Sequence, residues 1–112
     1  MSRESDGLGA LEHLVLLALA RLQQNAYGVT IRREIESRTG RRVSVGAIYP
    51  TLDRLEQKGL VLSHMSEPTG LRGGRSRRHY ELEPRGAEAL RTARKQLSSL
   101  WAGLTLTSRH SQ

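Results

Sequence analysis

The segment Ser44-Val-Gly-Ala-Ile-Tyr-Pro-Thr-Leu-Asp-Arg-Leu-Glu-Gln-Lys-Gly59 decides how the chain is read. Ser44 supplies a hydroxyl that accepts from an orphan N–H of a first helical turn. Gly59 enters the left-handed region that ends a helix without a Cβ penalty. Between these stops Ile48, Leu52 and Leu55 recur at helical spacing and define a buried stripe. The other face carries Gly46, Ala47, Tyr49, Pro50, Asp53 and Arg54. A solvated face would be rich in Lys and Glu. This one is small, flat and aromatic near its start, which suits close approach to another surface. Pro50 removes one intrahelical hydrogen bond at a cost of roughly 3 kcal/mol in a generic helix interior, so a requirement of shape is expected there.

Working outward, Leu60-Val-Leu-Ser-His-Met65 reads as a strand, residues 68–75 as a Gly- and Arg-containing loop, and Arg77-Arg-His-Tyr-Glu-Leu82 as a second strand with Tyr80 and Leu82 on its inner face. A capped helix followed by such a hairpin predicts a mostly α protein with a small β-hairpin, a winged helix-turn-helix. Its helix would enter a DNA major groove and its hairpin would flank it. Upstream, residues 10–23 form a first helix with Leu11, Leu14, Val15, Ala18, Leu19 and Leu22 on a wide apolar face. Residues 27–39 form a second helix with Tyr27, Ile31 and Ile35 inward and Gly40 as its stop; its mixed charges read as a solvated face. The expected organisation is a flexible arm over 1–9, the winged helix-turn-helix over 10–83, a dimerisation helix over 84–104 and a flexible tail over 105–112.

The 112 residues carry 18 Lys and Arg against 11 Asp and Glu, a formal net charge of +7. Only Lys58 and Lys95 are lysines. Guanidinium forks match phosphate bidentately, and a basic excess favours polyanionic partners. Arg41 and Arg42 sit just before the third helix, where a phosphate meets both cations and the positive end of the helix dipole. Arg72, Arg75 and Arg77, with Arg78, surround Gly73-Gly74 at the hairpin tip, a position suited to phosphate or minor-groove contact. The candidate contacts to double-stranded DNA are therefore Ser44, Gly46, Ala47, Tyr49 and Pro50 on the helix, and Arg41, Arg42, Arg54, Arg72, Arg75 and Arg77 around it.

Pro84 fits the first position of a last helix. Along it Leu90, Leu97 and Leu104 recur every seven residues, with Ala93 and Leu100 between them and Trp101 beside them. This resembles the seam of a coiled coil. A single helix at the end of a small domain gains most by burying such a seam against a second copy, although part of it can fold back on the first helix. Leu11, Leu90, Ala93, Leu97, Leu100, Trp101 and Leu104 are the candidate dimerisation residues. Trp101 and Leu97 are also a weaker candidate platform for a small hydrophobic or aromatic effector.

No cysteine is present, which removes disulfides, thiolate catalysis and Cys-ligated zinc. His13, His64, His79 and His110 share no motif, and no nucleophile–base pair, phosphate-cradling loop or metal-spaced cluster occurs. No enzyme activity, cofactor or metal is expected. The apolar run over residues 14–20 is too short to span a bilayer, and residues 1–7 lack the apolar core of a signal peptide, so no membrane association and a cytoplasmic location are expected.

Four motifs occur in order: Leu11-Glu-His-Leu-Val-Leu-Leu-Ala-Leu19; Ala26-Tyr-Gly28; Gly46-Ala-Ile-Tyr-Pro-Thr-Leu-Asp-Arg-Leu-Glu-Gln-Lys-Gly-Leu60; and Gly73-Gly-Arg-Ser-Arg-Arg-His-Tyr-Glu-Leu82 with Gly86 four residues on. Across residues 10–90 the sequence resembles the PadR-like transcriptional regulators, in the short form with one helix after the wing. The resemblance implies a repressor that dimerises through its C-terminal helix, binds an inverted-repeat operator and responds to a small, frequently aromatic ligand. Glu83 departs from it, since the family usually has Thr before this helix. Two other readings stay open: a protein-interaction module on the same scaffold, and a non-specific nucleic-acid-binding protein.

Overall fold

The computed structural model describes residues 7–66 and 77–107. The chain runs through α1 (Ala10–Leu22), a 3-10 turn (Gln23–Asn25), α2 (Gly28–Thr39), α3 (Val45–Gln57), β1 (Val61–Met65), β2 (Arg78–Leu82) and α4 (Pro84–Trp101). It is the winged helix-turn-helix with an additional C-terminal helix that the sequence predicts.

The stops act as their chemistry dictates. Ser44 Oγ accepts from the Ala47 N–H at 3.1 Å and opens α3. Gly40 at φ 73° ends α2, and Gly59 at φ 78° follows α3. The helix runs through Pro50 as one continuous element, and the buried Thr51 hydroxyl donates to the Ala47 carbonyl at 2.9 Å within the same turn. Helices α1, α2 and α3 pack around one core built on Val15, Leu16, Leu19, Ile31, Ile48 and Leu52. Leu16, which lies outside the apolar face expected for α1, is completely buried.

The wing pairs antiparallel, with Val61 opposite Leu82 and Met65 opposite Arg78. Tyr80 points into the core and is 1% exposed. A two-stranded ribbon is marginal alone, and here its base is held from both sides. The Tyr80 N–H donates to the Ala26 carbonyl at 2.9 Å, and the Glu83 N–H donates to the Leu60 carbonyl at 2.9 Å. Gly86 lets α4 lie directly on the base of the hairpin, because a Cβ there would overlap the carbonyl oxygen of Leu60, just before β1, and the Leu82 side chain of β2.

Two boundaries differ from the sequence reading. Residues 7–9 are not a free arm: Leu8 packs against the core, and the Gly9 N–H donates to Glu12 Oε1 at 2.9 Å. Helix α4 ends at Trp101, not at residue 104. Gly103 adopts φ 75°, and the Leu104 N–H turns back to the Trp101 carbonyl at 2.8 Å, so Leu104 leaves the helical seam. Glu83 stands at the N-cap of α4 with no side-chain cap hydrogen bond, which leaves Pro84 as the main start signal.

Candidate nucleic-acid interface

The exposed face of α3 is short and nearly free of bulky charge at its N-terminal half. Ser44, Gly46, Tyr49 and Pro50 are exposed and Ala47 is half-buried. Tyr49 has a second role that its sequence position hides. Its phenol lies directly over Gly28 at the start of α2, so close that a Cβ on Gly28 would overlap the ring. The Tyr27-Gly28 pair and the Tyr49-Pro50 pair are thus one packing unit, which fixes the angle between α2 and α3.

The cations divide into two groups. Arg41 and Arg42 are exposed in the turn before α3, with Thr39 Oγ1 accepting the Arg41 N–H at 3.0 Å. Arg77 stands just before β2, on the loop side of the hairpin, with its guanidinium 4.5 Å from the centre of the Tyr27 ring. Arg78 donates to Ser63 Oγ at 3.0 Å across the hairpin. Arg72 and Arg75 lie outside the described residues. Arg54 belongs to a different group: Nε is 3.4 Å from Glu12 Oε2, and Nη2 donates to Thr51 Oγ1 at 3.1 Å.

Glu12 is the residue that sequence reasoning missed here. Its carboxylate is 7% exposed and lies 2.9 Å from Lys58 Nζ. It bridges the first turn of α1 to the end of α3. Burial raises its pKa, but the Gly9 N–H, Lys58 and Arg54 together outweigh burial and hold it below the ordinary value of 4.5. The folded carboxyl therefore binds a proton less readily than the unfolded one. Its contribution is complete above about pH 4.5 and is lost as the pH falls through the folded value. Glu12→Gln is expected to cost about 2 kcal/mol at pH 7 and to flatten stability below pH 4.5, measured by urea melts across a pH series. The signal was a lone acid at a helix start, 46 residues from its lysine partner, a separation that no local pattern encodes.

The candidate dimer residues are only partly gathered. Leu11 and Leu90 pack against the edge of the protomer core. Ala93 is half-buried. Leu97, Leu100, Trp101 and Leu104 are 51%, 77%, 56% and 48% exposed. A groove of about 530 Å³ between α1 and α4 brings Leu90, Leu97 and Trp101 together with His13 and Leu17. Leu17, which lies outside the apolar face read for α1, is 44% exposed. The available signal was a leucine off that face, since an apolar residue there needs cover from another surface.

Fold and surface together define the class: a winged helix-turn-helix protein of the DNA-binding kind. The sequence matches the transcriptional regulator PadR-like family over residues 15–92, and the chain belongs to that family, whose members are regulators and not enzymes. It is 42% identical over 74 residues to the transcriptional regulator Rv3488 of Mycobacterium tuberculosis, covering 66% of this chain and 64% of that protein. The chain thus spans just under two thirds of that relative's length. In three dimensions it is similar to hsRosR-S4 in a complex structure, RosR being a protein of H. salinarum (TM-score 0.70, 28% identity, 90% of this chain and 80% of that one). It is also similar to a PadR family transcriptional regulator from Eggerthella lenta DSM 2243 (TM-score 0.65, 28% identity, 83% and 80%). No helix among the described residues is long and apolar enough to cross a membrane.

Proposed function

We propose that the protein is a homodimeric, ligand-responsive repressor that binds an inverted-repeat operator. The observation that carries this reading is the outward face of α3, bare of Lys and Glu over Gly46, Ala47, Tyr49 and Pro50 and flanked by Arg41, Arg42 and Arg77. Each protomer lays this face in a major groove, with Ser44 and the flanking arginines on the backbone and the wing-tip Arg72 and Arg75 extending the contact. Arg54 is already engaged by Glu12 and is left out of the contact set. Two copies join through Leu97, Leu100, Trp101 and Leu104 beside Leu11, Leu90 and Ala93, spacing the half-sites near one helical turn, about 34 Å. Bound there, the dimer blocks polymerase. A small hydrophobic or aromatic effector seated near Trp101 and Leu97 favours one angle between the α4 helices and shifts the population away from the DNA-binding geometry.

Selection of duplex fragments by the purified protein, followed by a gel shift on the selected sequence, tests the reading. A palindromic site bound far more tightly than bulk DNA is expected. Equal competition by bulk DNA would show a non-specific binder, and failure to shift any duplex would leave the protein-interaction reading. Substitutions at Ala47 or Tyr49 are expected to change the preferred sequence. Arg75→Ala is expected to weaken all sequences alike and to lower the salt slope by about one.

A further inference from the structure

A second feature of the interface lies off the recognition helix. Between the start of α2 and the loop end of the wing strands is a cleft of about 460 Å³, lined by Tyr27, Val29, Arg33, Tyr49, Arg77 and Arg78. Four parts of the fold contribute to it: the residue before α2, the first two turns of α2, the exposed face of α3 and the residues that open the second wing strand. The lining holds three guanidinium groups and two phenols and contains no carboxylate.

The arrangement of these groups is directional. The Arg77 guanidinium carbon lies 4.5 Å from the centroid of the Tyr27 ring, a contact that spends none of its five N–H donors on an acceptor. Tyr27 is itself held by the edge of His79, with ring centroids 5.3 Å apart, and His79 stacks on His64 at 5.8 Å across the hairpin. Among the described residues no acceptor takes an N–H of the Arg33 or Arg77 guanidinium, whereas Arg21, Arg32, Arg38, Arg54 and Arg91 each meet a glutamate. Arg78 reaches the Glu56 carboxylate through Ser63 Oγ, at 3.0 Å and 2.9 Å, which leaves Arg33 and Arg77 as the two like charges of the cleft without a described acceptor. They repel one another, and an oxyanion between them removes that cost. The cleft also opens at the N-terminus of a twelve-residue helix, where the dipole favours negative charge.

We propose that this cleft seats one backbone phosphodiester of the operator, held by Arg33 and Arg77, and that Tyr27 is a positioning residue that fixes Arg77 through its ring. The inference rests on the DNA-binding reading above and adds to it a contact that sets register without reading sequence. Arg33, which looks like part of a solvated helix face in the sequence, becomes a ligand of the phosphate. Ring and hydroxyl separate cleanly: phenylalanine at position 27 keeps the platform and leucine removes it.

The test is fluorescence anisotropy of the full chain on its selected duplex and on a scrambled duplex across a salt series, with thermal melts of every variant. Arg33→Ala and Arg77→Ala are expected to weaken both duplexes alike by roughly tenfold, the equivalent of one charge-assisted hydrogen bond, and to lower the salt slope by about 0.9. Tyr27→Leu is expected to match Arg77→Ala, and Tyr27→Phe to match the parent chain. A duplex neutralised by methylphosphonate at one linkage is expected to abolish the difference between the parent and Arg33→Ala at one position per half-site. Unchanged affinity and slope in Arg33→Ala and Arg77→Ala would overturn the proposal, as would equal losses in Tyr27→Phe and Tyr27→Leu. Inorganic phosphate binding at millimolar concentration, with no methylphosphonate position coupled to Arg33, would show a site for free anion and also overturn it. A parent chain that binds no duplex defeats the DNA-binding reading itself; a parent that binds while these variants behave normally defeats only the cleft.

Discussion

Gly86→Ala is expected to lower folding stability by about 2 kcal/mol, although helix propensity alone favours alanine by about 1 kcal/mol at a helix interior. The reason is the Leu60 carbonyl oxygen, which lies inside contact distance of any Cβ at position 86. A flexible side chain would move aside, but a backbone carbonyl that already accepts the Glu83 N–H at 2.9 Å moves only by shifting α4 off the base of the hairpin. Overpacking of this kind costs typically 1–3 kcal/mol and occasionally more. For a chain of this size the melting temperature should fall by about 10 °C, read by circular dichroism. Gly46→Ala is the control, since a Cβ there meets only Ser44 Oγ at 3.8 Å. It should hold or slightly raise stability while blunting the approach of α3 to DNA. Equal melting temperatures for Gly86→Ala and the parent would show that α4 does not depend on this close contact.

Placing charge on the outer half of α4 is expected to have the larger functional effect. Leu97 and Trp101 lie one turn apart and both line the groove against α1. In the proposed dimer the double change Leu97→Glu and Trp101→Glu puts four carboxylates into one interface and should give a monomer by analytical ultracentrifugation. Each protomer then binds its half-site alone and loses the effective concentration supplied by its twin, typically worth 10²- to 10⁴-fold. Operator affinity should fall by at least about 100-fold, while the protomer stays folded by circular dichroism, because both side chains are more than half exposed in the protomer. The melting temperature should fall only by the share that dimerisation supplied, and that share should depend on protein concentration in the parent. A double variant that stays dimeric would move the interface elsewhere on the chain.

The fold was legible where the controlling interactions are local. The caps at Ser44 and Gly59, the stop at Gly40 and the alternation that sends Tyr80 inward are each set within a few residues, and the structure follows them. What the sequence left hidden depends on distant parts of the chain. The Glu12 carboxylate needs Lys58 from the far end of α3. Tyr49 needs the missing side chain of Gly28. Arg54 looked free on α3 until α1 was placed beside it. The end of α4 was misjudged for a related reason: the leucine heptad runs on to residue 104, whereas the Gly103 turn interrupts the backbone first. In the candidate interface the helix residues and Arg77 were legible from composition and spacing. Tyr27 and Arg33 were not, because what marks them is the wing folding back against α2.

The hydrogen bond from Tyr80 to Ala26 has a mechanical consequence. It makes the turn before α2 behave as a third rung beside the two wing strands. The root of the hairpin and the first turn of α2 are therefore geared together, and neither pivots without carrying the other. In the proposed dimer, a rotation that the proposed effector imposed at α4 would turn the whole head as one piece. The distance between the two heads, not the shape of either, would then be the variable left for regulation.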